Sequence, residues 1–260
     1  MCLILFAHRA HADYPLVVAA NRDEMYERPT AAAGFWDDAP ELLAGRDLRE
    51  GGTWMGITRG GRFAAVTNYR EMPLVRDGKR SRGHLVAGFL RGAASPGEYV
   101  RALAVEGDAY NGFNLLAGDG SSLAYVSNRG GGPSLLAAGI YGLSNALLDD
   151  PWPKVVRGKA AVAGALAGPA DALEPALFAA LADRGIAPDG VLPDTGVGLE
   201  RERALSASFI ATPEYGTRCS TVLIVRRDGT ATFTERRVVP GEHRVEESRF
   251  TLAVPPPSPA

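Results

Sequence analysis

Residues 1–24 read MCLILFAHRAHADYPLVVAANRDE, and this stretch decides the fold. Two short apolar runs, Leu3 to Ala7 and Leu16 to Ala20, are separated by a polar segment that contains Pro15. Short apolar runs bounded by turn residues are typical of buried strands. The start of the chain is therefore predicted to form a β-hairpin within a sheet.

The second strand of this hairpin ends in the polar tetrad Asn21-Arg22-Asp23-Glu24. In an antiparallel hairpin the end of the second strand lies beside the start of the first, so Cys2 and the tetrad are predicted to be neighbours. A carboxylate in that place can orient an amine, and an arginine favours the thiolate form of a cysteine. The alternative interpretation is a solvated strand end that makes surface ion pairs.

Cys2 can carry chemistry because removal of Met1 would make it the first residue of the chain. It would then hold both a thiol and a free α-amine, whose pKa of about 7.7 to 8.0 lets it act as a base near neutral pH. A nucleophile with its own base is a known route to covalent catalysis. The alternative is that Cys2 is a small apolar residue at the start of a buried strand.

Beyond residue 24 the patterns indicate alternating groups of strands and helices. Gly60-Gly61 and Asp228-Gly229 are two-residue turn signals, which predict hairpins of 53–59 with 62–69 and of 221–226 with 230–238. Further strands are predicted over 113–117, 123–127 and 139–143, and helices over 84–92, from Ser95, over 153–167 and over 171–184. Residues 185–198 are predicted to be a loop. This order favours an α+β fold with antiparallel sheets covered by helices, rather than a doubly wound parallel sheet.

Composition excludes several classes of function. The 260 residues carry a formal net charge of -2 without a long run of one sign, so neither nucleic acid nor an anionic membrane surface is an expected partner. The first apolar stretch is too short to span a membrane and lacks a basic region before it, which predicts a cytoplasmic protein without integral membrane association. Cys2 and Cys219 are expected to be reduced thiols.

Other polar residues give weaker signals. Asn68 and Asn145 each follow a predicted strand, where an amide could donate to a developing oxyanion, although asparagine is also a common turn residue. The four histidines, His8, His11, His84 and His243, are dispersed without the spacing of metal ligands, so no metal site is expected.

Several segments, each weak alone, together resemble the NRDE family, which is the transport and Golgi organization protein 2 family. The match covers nearly the whole chain and consists of Met1-Cys2-Leu3-Ile4, Ala20-Asn21-Arg22-Asp23-Glu24, Gly51-Gly52-Thr53-Trp54-Met55-Gly56, Thr67-Asn68-Tyr69-Arg70, Gly142-Leu143-Ser144-Asn145, Pro151-Trp152-Pro153-Lys154 and Tyr215-Gly216-Thr217-Arg218. The resemblance implies one domain over residues 1–254, followed by a Pro-rich C-terminal tail over 255–260.

That family in turn is similar to the N-terminal nucleophile hydrolases, especially the choloylglycine hydrolase and penicillin V acylase group. The resemblance implies an αββα four-layer sandwich with two stacked antiparallel sheets. It also implies that Cys2 is the nucleophile, that Asp23 holds its amine, and that Asn68 and Asn145 bind the oxyanion, with Arg22 beside them. The other residues of the matching segments expected to bind ligand or line the pocket are Asn21, Glu24, Trp54, Arg70 and Arg218.

The chain departs from the amidases at two arginines. They carry an arginine a few residues before the aspartate, whereas this chain has Ala20 there and places Arg22 directly before Asp23. For the second arginine of the amidases, Arg201, Arg203 and Arg218 are the candidates.

Two functions follow from the resemblance. The first is a cysteine-nucleophile hydrolase or acyl transferase that acts on amide or thioester bonds of a small-molecule acyl substrate. The second is a carrier that binds haem or lipid without hydrolysis, because NRDE proteins are linked to intracellular haem mobilisation and to lipid or acyl-CoA homeostasis. No cofactor is required for the first, and haem is a possible ligand in the second. A hydrolase fold used only as an interaction module is a third interpretation, and the oligomeric state stays open.

Overall fold

The opening hairpin is present and forms the centre of one sheet. A computed structural model describes residues 2–72, 75–239 and 244–256, so Met1, His243 and residues 257–260 of the predicted tail lie outside the described residues. In it β1 (Cys2–His8) pairs antiparallel with β2 (Leu16–Met25), which places Cys2 opposite Arg22. The predicted proximity of Cys2 to the polar tetrad is therefore confirmed.

The described strands form two antiparallel sheets. The remaining strands are β3 (Thr30–Trp36), β4 (Ala39–Asp47), β5 (Met55–Thr58), β6 (Phe63–Asn68), β7 (Phe113–Gly118), β8 (Leu123–Ser127), β9 (Ser134–Leu135), β10 (Gly139–Leu143), β11 (Tyr215–Val225), β12 (Thr230–Val239) and β13 (Arg244–Ala253). The first sheet has the order β10-β1-β2-β11-β12-β13, and the second runs from β3 to β9 in sequence order. All pairings within both sheets are antiparallel.

Helices cover the outer faces of both sheets. They are α1 (Gly83–Arg91), α2 (Pro96–Glu106), α3 (Pro153–Ala167), α4 (Leu173–Leu181) and α5 (Leu199–Leu205). The first two pack on the second sheet, and α3 and α4 pack on the first. The result is the predicted α+β fold with four layers in the order αββα.

Alternation along β1 and β2 builds two separate cores. Successive side chains of a strand point to opposite faces. Ile4 and Val18 accordingly lie in the large core between the sheets, whereas Leu5 and Val17 lie in the core beneath α3 and α4. The outer contact is close, because a Cβ added at Gly158 of α3 would stand 2.5 Å from the side chain of Leu5.

Several elements differ from the sequence predictions. The chain between the first two predicted hairpins forms β3 and β4, α5 follows the predicted loop, and β13 follows the last hairpin; none of these was predicted. Helix α4 is also shorter than the predicted 171–184. The segment β13 reads RVEESRFTLA and is largely exposed at a sheet edge, so it lacks the apolar alternation of a buried strand. Among the described helices, none has the length and apolar character needed to cross a membrane.

Candidate functional site

Cys2 opens on a cavity of about 200 Å³ between the ends of the two sheets. Cys2 and Arg22 form its wall on the first sheet, and Trp54 and Asn68 form its wall on the second. Arg82, the residue directly before α1, also lines this space, which we call the Cys2 cavity. The cavity gathers basic, acidic and polar side chains around a thiol.

The Cys2 thiol is buried and only 6% exposed. Burial raises the pKa of Cys2, while the nearby Arg22 and the backbone N–H of Asp23 act in the opposite direction. Because burial dominates, the uncharged thiol is the favoured form. A nucleophilic role would therefore need a base close to the sulfur.

Asp23 also belongs to the lining of the Cys2 cavity, and its carboxylate is held in a buried polar setting. The Thr217 hydroxyl donates a hydrogen bond of 2.7 Å to Asp23 Oδ1. Burial raises the pKa of Asp23, and the charge of Lys154, the Thr217 hydrogen bond and the charge of Arg70 act to lower it. Asp23 thus lies one residue from Arg22, which is paired with Cys2, and is surrounded by groups that favour its ionised form.

The two predicted oxyanion asparagines occupy different positions. Asn68, at the end of β6, lines the Cys2 cavity. Asn145 is fully buried, and its Nδ2 donates a 2.8 Å hydrogen bond to the backbone carbonyl of Asn68. Asn145 is absent from the described lining of the cavity, so in this geometry it supports the chain at Asn68.

Arg22, Glu24 and Trp54 all line the Cys2 cavity, as their predicted roles require. Arg22 Nη1 donates to Thr30 Oγ1 at 3.3 Å, and its Nη2 lies 3.7 Å from Glu24 Oε2. The guanidinium is consequently held by neighbours within the cavity wall. Trp54 contributes an apolar surface and is 8% exposed.

Three predicted ligand-binding residues lie in other surroundings. Asn21 Nδ2 donates to the carbonyls of Leu181 and Ser208. Arg218 Nη1 donates to the carbonyls of Met25 and Arg28, each at 2.9 Å. Arg70 donates to Glu202 at 2.6 Å in an almost fully buried salt bridge. Asn21, Arg70 and Arg218 do not belong to the described lining of the Cys2 cavity, although Arg70 lines the larger cavity beside it.

Arg82 is the arginine that the sequence analysis missed. Of its candidates, Arg203 pairs with Asp189 at 2.7 Å and Arg201 borders a neighbouring cavity. Arg82 Nη1 donates to the Gly112 carbonyl at 3.0 Å, and burial lowers its pKa, against the opposing charges of Cys2 and Glu24. The basic cluster Lys79-Arg80-Ser81-Arg82 before a predicted helix was the signal available in the sequence.

A second, larger cavity of about 590 Å³ adjoins the first, and we call it the apolar cavity. The two cavities share Glu24, Asn68 and Arg82 in their walls. Apolar side chains supply much of the remaining lining, namely Met25, Val75, Val197, Ala204, Leu205 and Pro213. A ligand with an apolar part and a charged part could therefore cross from one cavity into the other.

The two cysteines are both free and buried. Each lies opposite Arg22, Cys2 from β1 and Cys219 from β11, so they stand two strand spacings apart. That separation is about 9 to 10 Å and exceeds the reach of a disulfide. Within the described ranges no cluster of histidine, cysteine, aspartate and glutamate could hold a metal ion.

Comparisons with known proteins find a matching family model and relatives that cover nearly the whole chain. A family model described as Transport and Golgi organisation 2 matches residues 1–240. A Transport and Golgi organization protein 2 homolog from Bos taurus is 42% identical over 263 residues, which cover 92% of this chain and 94% of the relative. The homolog from Homo sapiens is 40% identical over 276 residues, covering 97% and 99% respectively.

A solved structure shares the fold at much lower identity. It is the Caenorhabditis elegans ortholog of N-acylethanolamine-hydrolyzing acid amidase, with a TM-score of 0.50 and 12% sequence identity. The similarity covers 86% of this chain and 92% of that chain. The likeness supports the N-terminal nucleophile hydrolase architecture and leaves the chemistry to be argued from the site.

Proposed function

This chain belongs to the Transport and Golgi organisation 2 family, and from that premise we propose that it is a cysteine-dependent acyl hydrolase or acyl transferase with Cys2 as nucleophile. One observation carries the proposal: Cys2 and Asn68 line the same polar cavity, and Asn68 also lines the apolar cavity beside it. A nucleophile, an amide donor and space for an acyl chain therefore meet at one point.

The proposed reaction begins with the loss of Met1, which frees the α-amine of Cys2. That amine accepts the thiol proton, and Sγ attacks the acyl carbonyl to form a tetrahedral oxyanion. When the oxyanion collapses, the C–N or C–S bond breaks and the leaving group takes the proton from the ammonium. The acyl group then rests on Cys2 as a thioester, which water or an acceptor nucleophile cleaves.

Two groups are suited to the developing negative charge. The side-chain amide of Asn68 can donate to the oxyanion, and donors fixed before reaction are often the largest catalytic contribution. The guanidinium of Arg82 lies in the same shared wall and adds positive charge. The hydrogen bond from Asn145 to the Asn68 carbonyl would limit movement of the donor.

The two cavities suggest how a substrate is divided. The apolar cavity has the volume and lining expected for an acyl chain. Five basic residues line the Cys2 cavity, namely Arg22, Arg28, Lys79, Arg80 and Arg82, against the four acidic residues Asp23, Glu24, Asp47 and Glu50. Arg28 is paired with Asp47 at 2.7 Å, whereas Arg82 donates to a neutral carbonyl. We infer a substrate whose acyl part is apolar and whose leaving group carries negative charge.

A substrate panel tests this proposal. Purified protein is incubated with a fatty acyl thioester bearing an anionic leaving group, an N-acyl amino acid and an N-acyl ethanolamide, and product release is followed by mass spectrometry. Turnover of the anionic substrates in the wild type and in Cys219→Ser, with none in Cys2→Ser, supports the proposal. Equal inactivity of all three proteins against the whole panel contradicts it.

The same preparation separates hydrolysis from carriage. Haem is titrated into wild-type protein and into Cys2→Ser, and binding is followed by absorbance. Saturable haem binding together with inactivity against every acyl substrate would favour the carrier. Acyl turnover that haem does not inhibit would favour the hydrolase.

A further inference from the structure

Lys154 is a buried lysine that takes no direct part in the proposed reaction steps. It is the second residue of α3, directly after Pro153, and is only 1% exposed. Its Nζ makes no hydrogen bond to any residue in the described part of the chain. Burial of an ammonium without a compensating charge is strongly unfavourable. A nearby anion is therefore needed to explain its position.

The charges that face Lys154 come from four elements. They are Asp23 of β2, Cys2 of β1, Glu202 of α5 and Arg70, which follows β6. Arg70 and Glu202 form their own salt bridge of 2.6 Å, and they line a small cavity together with Lys154. Glu202 is engaged by Arg70, and Asp23 is the carboxylate whose charge most strongly favours the ammonium form of Lys154.

Asp23 is also buried, and a buried carboxylate needs a nearby positive charge to stay ionised. The residue is 1% exposed, and the Thr217 hydroxyl donates a hydrogen bond to its carboxylate. Of the nearby charges that stabilise the ionised form of Asp23, the charge of Lys154 has the largest effect. Tyr215 of β11 also borders this region, where burial and the charges of Asp23 and Cys2 raise its pKa and keep its hydroxyl protonated.

We propose that Lys154 is a positioning residue whose ammonium keeps the Asp23 carboxylate ionised and holds it at the start of β1, where it orients the amine of Cys2. This role rests on the proposed function of Cys2 as an N-terminal nucleophile. It also supplies a cation near Asp23 in a chain that has Ala20 where the similar amidases carry an arginine.

The titration of Lys154 is consistent with this arrangement. Burial lowers the pKa of Lys154 to about 8, and the charge of Asp23 acts against that decrease. Lys154 is thus mostly charged at pH 7. Removal of the Asp23 carboxylate must lower its pKa further, because the opposing attraction is lost.

A lysine titration tests the coupling directly. Lys79, Lys154 and Lys159 are the three lysines of the chain, so protein labelled with ¹³C-lysine gives three side-chain signals that Lys79→Arg and Lys159→Arg assign. We expect the Lys154 midpoint near pH 8 in wild type. In Asp23→Asn it should fall by about one unit or more. An unchanged midpoint in Asp23→Asn would overturn the proposal.

Thiol alkylation tests the effect on Cys2 without any substrate. In a Cys219→Ser background, the rate of Cys2 alkylation by iodoacetamide is measured from pH 5.5 to 10 by intact mass. Lys154→Met should shift the profile upward and slow alkylation at pH 7 by about tenfold. Lys154→Arg, which keeps the charge, should restore the rate to within about threefold.

Equal profiles for Lys154→Met and wild type, with a change only in thermal stability, would show a purely structural lysine. If Lys154→Met does not fold, the lysine titration in wild type and Asp23→Asn decides alone. Neither readout depends on acyl turnover. Inactivity against all substrates would therefore count against the proposed function, whereas an uncoupled Lys154 would count against this inference only.

Discussion

The two faces of β2 differ in what they bury. Arg22 and Glu24 face the Cys2 cavity and keep their charges beside open space. Asn21 and Asp23 alternate with them and are buried among hydrogen-bond partners from α4, β11 and the segment before β11, although Asp23 also borders the Cys2 cavity. The tetrad that looks like one motif in the sequence therefore serves two regions: a cavity suited to chemistry and a polar network that supports it.

We therefore predict that substitutions on the two faces of β2 will have different effects on turnover and stability. A change on the cavity side should alter turnover with little loss of stability, because few buried partners are left unsatisfied. A change in the network should lower the free energy of unfolding, because a buried polar group that loses its partner bears its full desolvation penalty.

The largest expected effect belongs to the cavity. Cys2→Ser should reduce acyl turnover at least about a thousandfold, because the proposed nucleophile is lost. Cys219→Ser is the matched control, since Cys219 lies opposite the same Arg22 from the other neighbouring strand. Steady-state rates of the three proteins decide the matter. Equal losses in both variants would refute a special role for Cys2.

The next effect belongs to the network. Glu202→Leu should destabilise the protein by about 3 to 5 kcal/mol, because it leaves the buried Arg70 without its salt-bridge partner. The double variant Arg70→Met with Glu202→Leu should regain most of that loss. Urea unfolding of both variants measures the free energies. If the double variant is no more stable than Glu202→Leu, the buried pair does not dominate this region.

Two asparagines provide a sharper contrast. Asn68→Ala should lower turnover about a hundredfold, the size expected for loss of an oxyanion donor, while stability changes by less than about 1 kcal/mol. Asn21→Ala should lower the free energy of unfolding by about 2 to 3 kcal/mol, because two backbone carbonyls and the Ser220 hydroxyl lose a hydrogen-bond partner. Its turnover, measured well below the unfolding temperature, should stay close to wild type. The reverse pattern would contradict the division between the faces.

The smallest effect is a pH dependence of stability. The pKa of Lys154 is lowered to about 8 in the folded protein, below its ordinary value of about 10.4. The unfolded chain therefore binds more protons between these values, and folding becomes more favourable as the pH rises through that window. The stability of wild type relative to Lys154→Met should rise by about 1.5 kcal/mol between pH 8 and pH 9.5. If urea unfolding shows that the stability difference between the two proteins does not change with pH, Lys154 is not a buried ammonium in the folded protein.

Much of the fold was accessible from the sequence, because both strands of the opening hairpin carry uninterrupted apolar runs. The proximity of Cys2 to the tetrad Asn21-Arg22-Asp23-Glu24 followed from hairpin geometry alone. Strands β3 and β13 were missed for physical reasons. The first is rich in alanine, which has little strand preference, and the second is a charged edge strand that buries few side chains.

The site was less accessible, since its members come from distant parts of the chain. Asn68 and Trp54 were identified from matching segments and do line the cavity. Arg82 and Lys154 had no assigned role, because only tertiary packing brings the residue before α1 and the start of α3 near Cys2. Asn145, expected to bind an oxyanion directly, instead donates to the Asn68 backbone.

The proposed function requires that Cys2 is the first residue of the processed chain and that it accepts the acyl group. Its most direct test is peptide mapping by mass spectrometry of purified protein quenched during incubation with an acyl thioester. We expect, after an acid quench and digestion in acid, a first peptide that lacks Met1 and carries one acyl group on Cys2. A first peptide that retains Met1, or one without Met1 that never carries an acyl group, would contradict the proposed function.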